Sequence, residues 1–309
     1  MRVTDLMMGS MLTSDLQSTQ AQLLQVQEEL ASGNQINQPS DNPIGAEQVM
    51  HLQTALAENK QYSANAQSAL SWLQSSQAAL SQAVQAAQQV RTLALEGATG
   101  TTTAQGLSSL AAQARQLLSS LVDTGNTQFA GLYMFNGEET NTAPFTLAGG
   151  AVTTNYGANA TQAVAQEIGP GVTVTLNPGT DVPSGNVFQF QAAGGSTGGL
   201  LPAVQQIVTD LSSGGNPAQL DGSDLTALDS ALTAVENAQG ETGAVMQRVQ
   251  LAQGQLSQQQ TTLQSLQGSI QSVNMAQATV QLEELQSAYQ AALAVGAKLI
   301  TPTLASYLP

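Results

Sequence analysis

Cysteine is absent from the 309 residues, which excludes disulfides and thiolate chemistry. Aromatic side chains make up only 4% of the chain. Such a composition suits long thin seams, because large globular cores ordinarily draw on more aromatic volume. Charge is scarce at 9% and lopsided, with 6 Lys and Arg against 21 Asp and Glu, giving a net charge of −15 and a pI near 4.1. The basic residues Arg2, Lys60, Arg91, Arg115, Arg248 and Lys298 are scattered. Nucleic-acid binding rests on Lys and Arg neutralising phosphates, so this balance argues against it. An acidic membrane surface would repel the chain. No run reaches the roughly 18 apolar residues of a membrane span. The start, "MRVTDLMMGSMLTSDLQ", lacks an apolar core followed by a cleavage site. The expectation is a soluble chain, either cytosolic or exported without a cleaved signal.

What is present is Ala/Leu/Gln periodicity. Leu12, Leu16, Thr19, Leu23, Val26 and Leu30 alternate spacings of four and three, the seam of a helix that meets a partner helix. Ser32-Gly33-Asn34 ends it, since Gly takes the left-handed C-cap conformation. In "INQPSDNP", Pro39 lacks an N–H and constrains Gln38. Ser40, Asp41 or Asn42 is placed to cap the next helix, and Pro43 fits its first turn. That helix should run from Ile44 to Glu96, with Val49, Leu52, Leu56, Ala66, Leu70, Leu73, Leu80, Val84 and Ala87 on its stripe and Asn59, Ser63 and Gln77 interrupting it. "GATGTTTAQG" breaks it, and a further helix through Leu107, Leu110, Ala114, Leu117 and Leu121 should dissolve near Gly131.

From Asn136 to Gly199 the chain turns rich in Gly, Thr and Pro. "PFTL", "AVTTNY", "VTVTL" and "VFQF", bounded by "GPG" and "NPG", read as short strands and turns. Helix returns near Leu200. A run through Leu225, Leu228, Leu232 and Val235 loosens at Gly240. Val245, Val249, Ala252, Leu256, Gln259, Leu263, Leu266, Ile270 and Val273 then keep four–three spacing. The phase slips near Asn274, and the stripe continues through Met275, Ala278, Leu282, Leu285, Tyr289, Ala292, Gly296 and Leu299 to Thr301-Pro302. The predicted fold class is mainly α: a long coiled-coil hairpin of N- and C-terminal segments with a small β-rich inserted domain. Intermolecular pairing would use the same residues.

Catalytic chemistry has little to stand on. His51 is the sole histidine, inside a predicted helix, so a Ser–His pair has at most one base. The acid pairs Glu28-Glu29, Glu138-Glu139 and Glu283-Glu284 are adjacent, so on a helix their side chains point about 100° apart, as on a solvated face. "DGSD" at Asp221 to Asp224 is the nearest approach to a calcium loop, and a turn before the helix at Leu225 accounts for it. "AGGA" and "AAGGSTGG" lack phosphate-loop spacing and a Lys. Trp72 and the N-terminal methionines read as packing residues. The expectation is a non-enzyme without cofactor or metal, either a helical hairpin with a β cap or a subunit that packs beside copies and relatives.

Three stretches carry a family likeness. "LASGNQINQPSDNPIGAEQV" (Leu30 to Val49) resembles the segment near the N-terminus of bacterial flagellins and their hook-associated relatives. "NTQFAGLYMFNGEETNTAPF" (Asn126 to Phe145) is similar to the end of the N-terminal helical arm in the hook-associated protein 3 family, the filament-side hook–filament junction proteins. "AYQAALAVGAKLITPTLASYL" resembles that family's C-terminal helix and its Tyr-Leu ending. The likeness spans residues 1–145 and 225–309 and is weak in the insertion. Flagellin itself is the close alternative, and Gln35 and Gln38 stand where relatives often carry Lys or Arg.

The resemblance implies a structural adaptor joining the hook, through the first junction protein, to the flagellin filament. Residues 1–40 and 270–309 would form the coiled-coil inner tube, 41–135 and 200–269 the helical rod, and 136–199 the β-rich outer domain. Leu12, Leu16, Leu23, Val26, Leu30, Leu282, Leu285, Tyr289 and Leu299 are the candidate assembly contacts. Gly33, Pro39, Asp41 and Pro43 would make the turn between layers. The implied partners are the first junction protein, flagellin, copies of the chain in a ring and a cytosolic export chaperone, with no nucleic acid and no membrane. The implied location is the extracellular flagellum, reached through the flagellar secretion system. A filament subunit, or a secreted coiled-coil binding protein, are the alternatives.

Overall fold

The computed structural model describes residues 5–155, 162–177, 188, 199–214 and 217–299. The elements in chain order are α1 (Asp5–Ser32), α2 (Pro43–Ala98), α3 (Ala104–Gly125), β1 (Gln128–Phe129), β2 (Leu132–Tyr133), β3 (Phe145–Ala148), β4 (Ala151–Thr154), β5 (Ala165–Gly169) and β6 (Val172–Thr175). They are followed by α4 (Leu200–Ser212), the single turn α5 (Pro217–Gln219), a π-helical turn (Leu220–Asp224), α6 (Leu225–Gln271) and α7 (Met275–Leu299). The chain is mainly helical, with helical N- and C-terminal segments and a small strand-containing region between them. It divides into two compact units, Met1–Glu58 with Gln259–Pro309, and Asn59–Gln258.

In the second unit α2 and α6 run antiparallel. Arg91 Nε donates to Asp229 Oδ1 at 2.8 Å, and Gln253 Nε2 to Gln67 Oε1 at 3.2 Å. The buried face of α2 is built largely from small residues, Ala66, Ala69, Ala79, Ala83, Ala87 and Ala94, with Leu73 and Leu80 among them. Small side chains let helices approach closely. α3 and α4 complete the helical core through Leu118, Leu121, Val204 and Ile207, and α6 adds Leu228 and Val235. α3 stops at Gly125, short of the expected Gly131. A Cβ at Gly125 would lie 2.8 Å from the Phe145 ring, so glycine there lets β3 pack on the helix end. The Asn126 side chain then bonds both the N–H and the C=O of Phe145, at 3.1 and 2.9 Å.

The strands form three separate antiparallel hairpins. β1–β2 precedes the region where strands were expected and turns through Ala130-Gly131, both at positive φ. β3–β4 turns through Gly149-Gly150, also at positive φ, as two-residue hairpin turns of the mirror-image type require. "PFTL", "AVTT" and "VTVT" are strands as expected. "VFQF" lies outside the described residues except for Phe188, which is buried against Phe135 and Phe145 with ring centroids 5.0 and 6.1 Å away. Trp72 is buried and meets Phe129 edge-on at 5.7 Å. Five of the chain's eleven Phe, Trp and Tyr rings are thus spent where the hairpins meet the helices.

"DGSD" is a turn before the helix at Leu225, as expected, and takes π-helical form. Two sequence expectations are corrected. α6 runs through Gly240 without a break. On α6, Gln259 and Leu266 point outward, while Gln260 and Gln267 take the half-buried positions. Leu256, Leu263 and Ile270 keep their inward places.

Candidate assembly surface

The first unit is built from a helix pair and two chain breaks. α1 and α7 pack antiparallel. The less exposed positions on α1 are Gly9, Leu12, Leu16, Thr19, Leu23, Val26, Glu29 and Leu30, and on α7 they are Ala278, Leu282, Leu285, Tyr289, Ala292 and Gly296. Apart from Gly9 and Glu29 these are the heptad positions of the sequence; Met275 is exposed. The side chain of Leu299 and the Tyr-Leu ending lie outside the described residues. Gly296 marks the tightest approach, because a Cβ there would sit 2.8 Å from Leu12 Cδ2.

At the other end of the pair, both arms break at the same level. Gly33 takes φ +73°, a conformation glycine adopts without the Cβ penalty. Asn34 and Ser272 form an antiparallel bridge. Gln35 N donates to Gln271 O at 2.8 Å and Val273 N to Gly33 O at 3.0 Å, while Gln35 Nε2 reaches Ile270 O at 2.7 Å. Pro39 lies exposed in the following turn. Asp41 Oδ2 holds that turn by accepting from the N–H groups of Asn37 and Gln38, at 3.0 and 2.8 Å. Of the three cap candidates it is Asn42 that caps α2, its Oδ1 accepting from Gly45 N at 3.0 Å, with Pro43 as the first helical residue. Buried Ile36 seats against Gly45, where a Cβ would lie 2.6 Å from Ile36 Cδ1. Asn274 Oδ1 accepts from Gln277 N at 3.3 Å and starts α7. The sequence placed each break correctly. It carried no sign that the two breaks bond to each other.

This unit has a thin interior. Among the described residues Val26, Ile36, Ala46, Val49 and Ala278 are its buried apolar side chains, and none of those described on α1 or α7 belongs to the main core cluster. Large apolar side chains also stand on its otherwise polar surface. Met7, Met8, Met11, Leu24, Ile44 and Met50 are exposed on one arm, and Leu266, Met275, Val280, Leu293 and Val295 on the other. The N-terminal methionines are therefore outward-facing, contrary to the packing role expected of them. Contiguous exposed apolar surface marks a contact site when it exceeds a few hundred Å².

Nothing comparable emerges for catalysis. His51 is exposed on α2, 3.7 Å from Glu47 Oε1. A cleft of about 420 Å³ between α2 and α3 is lined by Gln89, Thr92, Leu93, Gln113, Gln116 and Leu117, none of them titratable. Among the described residues no three His, Cys, Asp or Glu side chains gather as metal ligands would. One buried carboxyl stands out. Burial, then the hydrogen bond and charge of Asp210, push Asp224 up to about 6, against a weaker opposing bond from Ser223. Asp224 sits in the π-helical turn of the second unit and does not line the cleft between α2 and α3.

Comparison with known proteins accords with this picture. The bacterial flagellin N-terminal helical region matches residues 3–140, and the bacterial flagellin C-terminal helical region matches residues 225–308. The chain belongs to the bacterial flagellin family. It is 30% identical over 151 residues to flagellar hook-associated protein 3 of Salmonella typhimurium, covering 48% of each chain. It is 26% identical over 184 residues to flagellin FlaB1 of Treponema pallidum, covering 58% of this chain and 64% of that one. The matched regions thus span about half to two thirds of these relatives. The crystal structure of hook-associated protein 3 from Legionella pneumophila superposes with a TM-score of 0.59 at 16% identity, covering 72% of this chain and 98% of that one, which is agreement of fold.

Proposed function

We propose that this flagellin-family chain is a structural adaptor between the flagellar hook and the filament, held in place by coiled-coil packing of its terminal helices. The observation that carries this reading is the set of large apolar side chains left exposed on the α1–α7 pair, Met7, Met8, Met11 and Leu24 on one helix and Met275, Val280, Leu293 and Val295 on the other. A two-helix seam with so little interior is poorly suited to stand alone, and neighbouring helices would cover what it leaves exposed. The likeness to hook-associated protein 3 favours a junction over other flagellar positions.

In this reading residues 1–40 and 270–309 line the inner tube. Residues 41–135 and 200–269 form the rod outside it, and 136–199 face outward. Leu12, Leu16, Leu23, Val26, Leu30, Leu282, Leu285, Tyr289 and Leu299 contribute the seam. Gly33, Pro39, Asp41 and Pro43 form the turn between layers. The neighbours are the first junction protein, flagellin and copies of the chain in a ring, after export through the flagellar secretion system. The role is structural, as it is in the flagellar relatives, and calls for no cofactor.

The test is seeded assembly. Hook fragments capped with the first junction protein are incubated with this protein, washed and supplied with flagellin. Filaments that grow only after this protein is added, with this protein alone stopping as a short ring, support the adaptor. The likeness to FlaB1 supports a second reading, a filament subunit. Unlimited elongation by this protein alone would select it.

A further inference from the structure

Methionine is distributed unevenly between the two units. In the terminal unit every methionine with a described side chain is exposed: Met7 at 55%, Met8 at 40%, Met11 at 59%, Met50 at 56% and Met275 at 52%. In the second unit Met134 is 1% exposed, covered beside Ser76, and Met246 is half-buried. Met7 and Met11 lie one helical turn apart, and Met8 is three residues from Met11, so three thioethers share a short stretch of α1. The chain has no cysteine to intercept an oxidant first. Thioether oxidation turns a flexible apolar side chain into a polar, chiral one and is selective for accessible sulfur.

We propose that Met7, Met8, Met11, Met50 and Met275 are separate modification sites for peroxide-class oxidants, and that their oxidation prevents the terminal unit from packing with neighbouring subunits. The second half rests on the assembly reading above. In each reaction the thioether sulfur attacks one peroxide oxygen and the O–O bond breaks. An S=O bond forms and the remaining oxygen leaves as water. The sulfur loses two electrons and the peroxide gains them. The sulfoxide oxygen is a strong acceptor, and an interface shaped for an apolar side chain covers it without supplying a donor. A methionine sulfoxide reductase reverses the change.

The experiment treats the full-length free chain with graded hydrogen peroxide and maps sulfoxide by peptide mass spectrometry. The five exposed methionines are expected to oxidise about tenfold faster than Met134. Equal rates would overturn the sites. The untreated chain, the treated chain and the treated chain after incubation with the reductase then enter the seeded assembly. Loss of incorporation in the treated chain, restored by the reductase, is the expected result. Equal incorporation of treated and untreated wild type would overturn the proposal. Failure of the untreated chain to incorporate rejects the assembly reading itself and, with it, the second half of the proposal, while the peptide map still decides the sites.

Discussion

Gln35 is bonded to the opposite arm twice, by its backbone N–H to Gln271 O at 2.8 Å and by its side chain to Ile270 O at 2.7 Å, across 235 residues of sequence. Gly33 makes that possible by turning left-handed at the end of α1. Gly33→Val is expected to cost about 1–2 kcal/mol in the terminal unit, the penalty of a Cβ in that conformation. Amide exchange at Gln35 and Val273 should then accelerate, while exchange in α3 and α4 stays unchanged. Unaltered protection at both amides would contradict this account.

Leu285→Glu places a charge on the half-buried stripe of α7. Covering an unpaired carboxylate costs on the order of several kcal/mol. Incorporation in seeded assembly should be lost. Fluorescence from buried Trp72 should stay native, because the second unit holds its own core.

Gly296→Val would drive a branched side chain into Leu12, which leaves no room for a Cβ at ordinary contact distance. The α1–α7 pair should loosen, seen as lower helicity and faster exchange in both helices. Adding Leu12→Ala should recover part of the loss. A double variant no better than the single one would mean that the two residues do not meet.

Asp224 gives a pH dependence whose sign can be worked out. Its carboxyl is raised from 3.8 to about 6 by burial and by Asp210, so the folded state holds a proton that the unfolded chain releases. The stabilisation is full below about pH 4 and is lost as pH rises through about 6. Asp224→Asn should stabilise the second unit at pH 7 by on the order of 1 kcal/mol, or about 2–4 °C in melting temperature. At pH 4 it should bring no gain.

The helices and their stripes were legible in the sequence because periodicity is a local property repeated many times. The α1 heptad, the Gly33 stop, the Pro43 restart and the phase slip at Asn274 all appear where spacing and cap chemistry put them. What stayed hidden depends on pairs distant in sequence. Gly296 looked like one more small residue until Leu12 lay over it, and Gln35 was an ordinary loop amide until Ile270 supplied a carbonyl. The hairpin at Ala130 was missed because its strands are two residues each, too short to alternate visibly. The exposed methionines of α1 were misread for a related reason. Periodicity names a helix face but does not say how much of that face its partner covers.

The antiparallel register in the second unit has an evolutionary consequence. Gln67 to Arg91 on α2 and Asp229 to Gln253 on α6 span equal lengths of chain. A single-residue insertion between the contacts on one arm would rotate everything beyond it by about 100° and break one of the two bonds. Viable length changes in one arm should therefore be accompanied by matching changes in the other. Homologous genes should gain or lose codons in these two distant stretches together, and vary freely in length only in the segment around the hairpins.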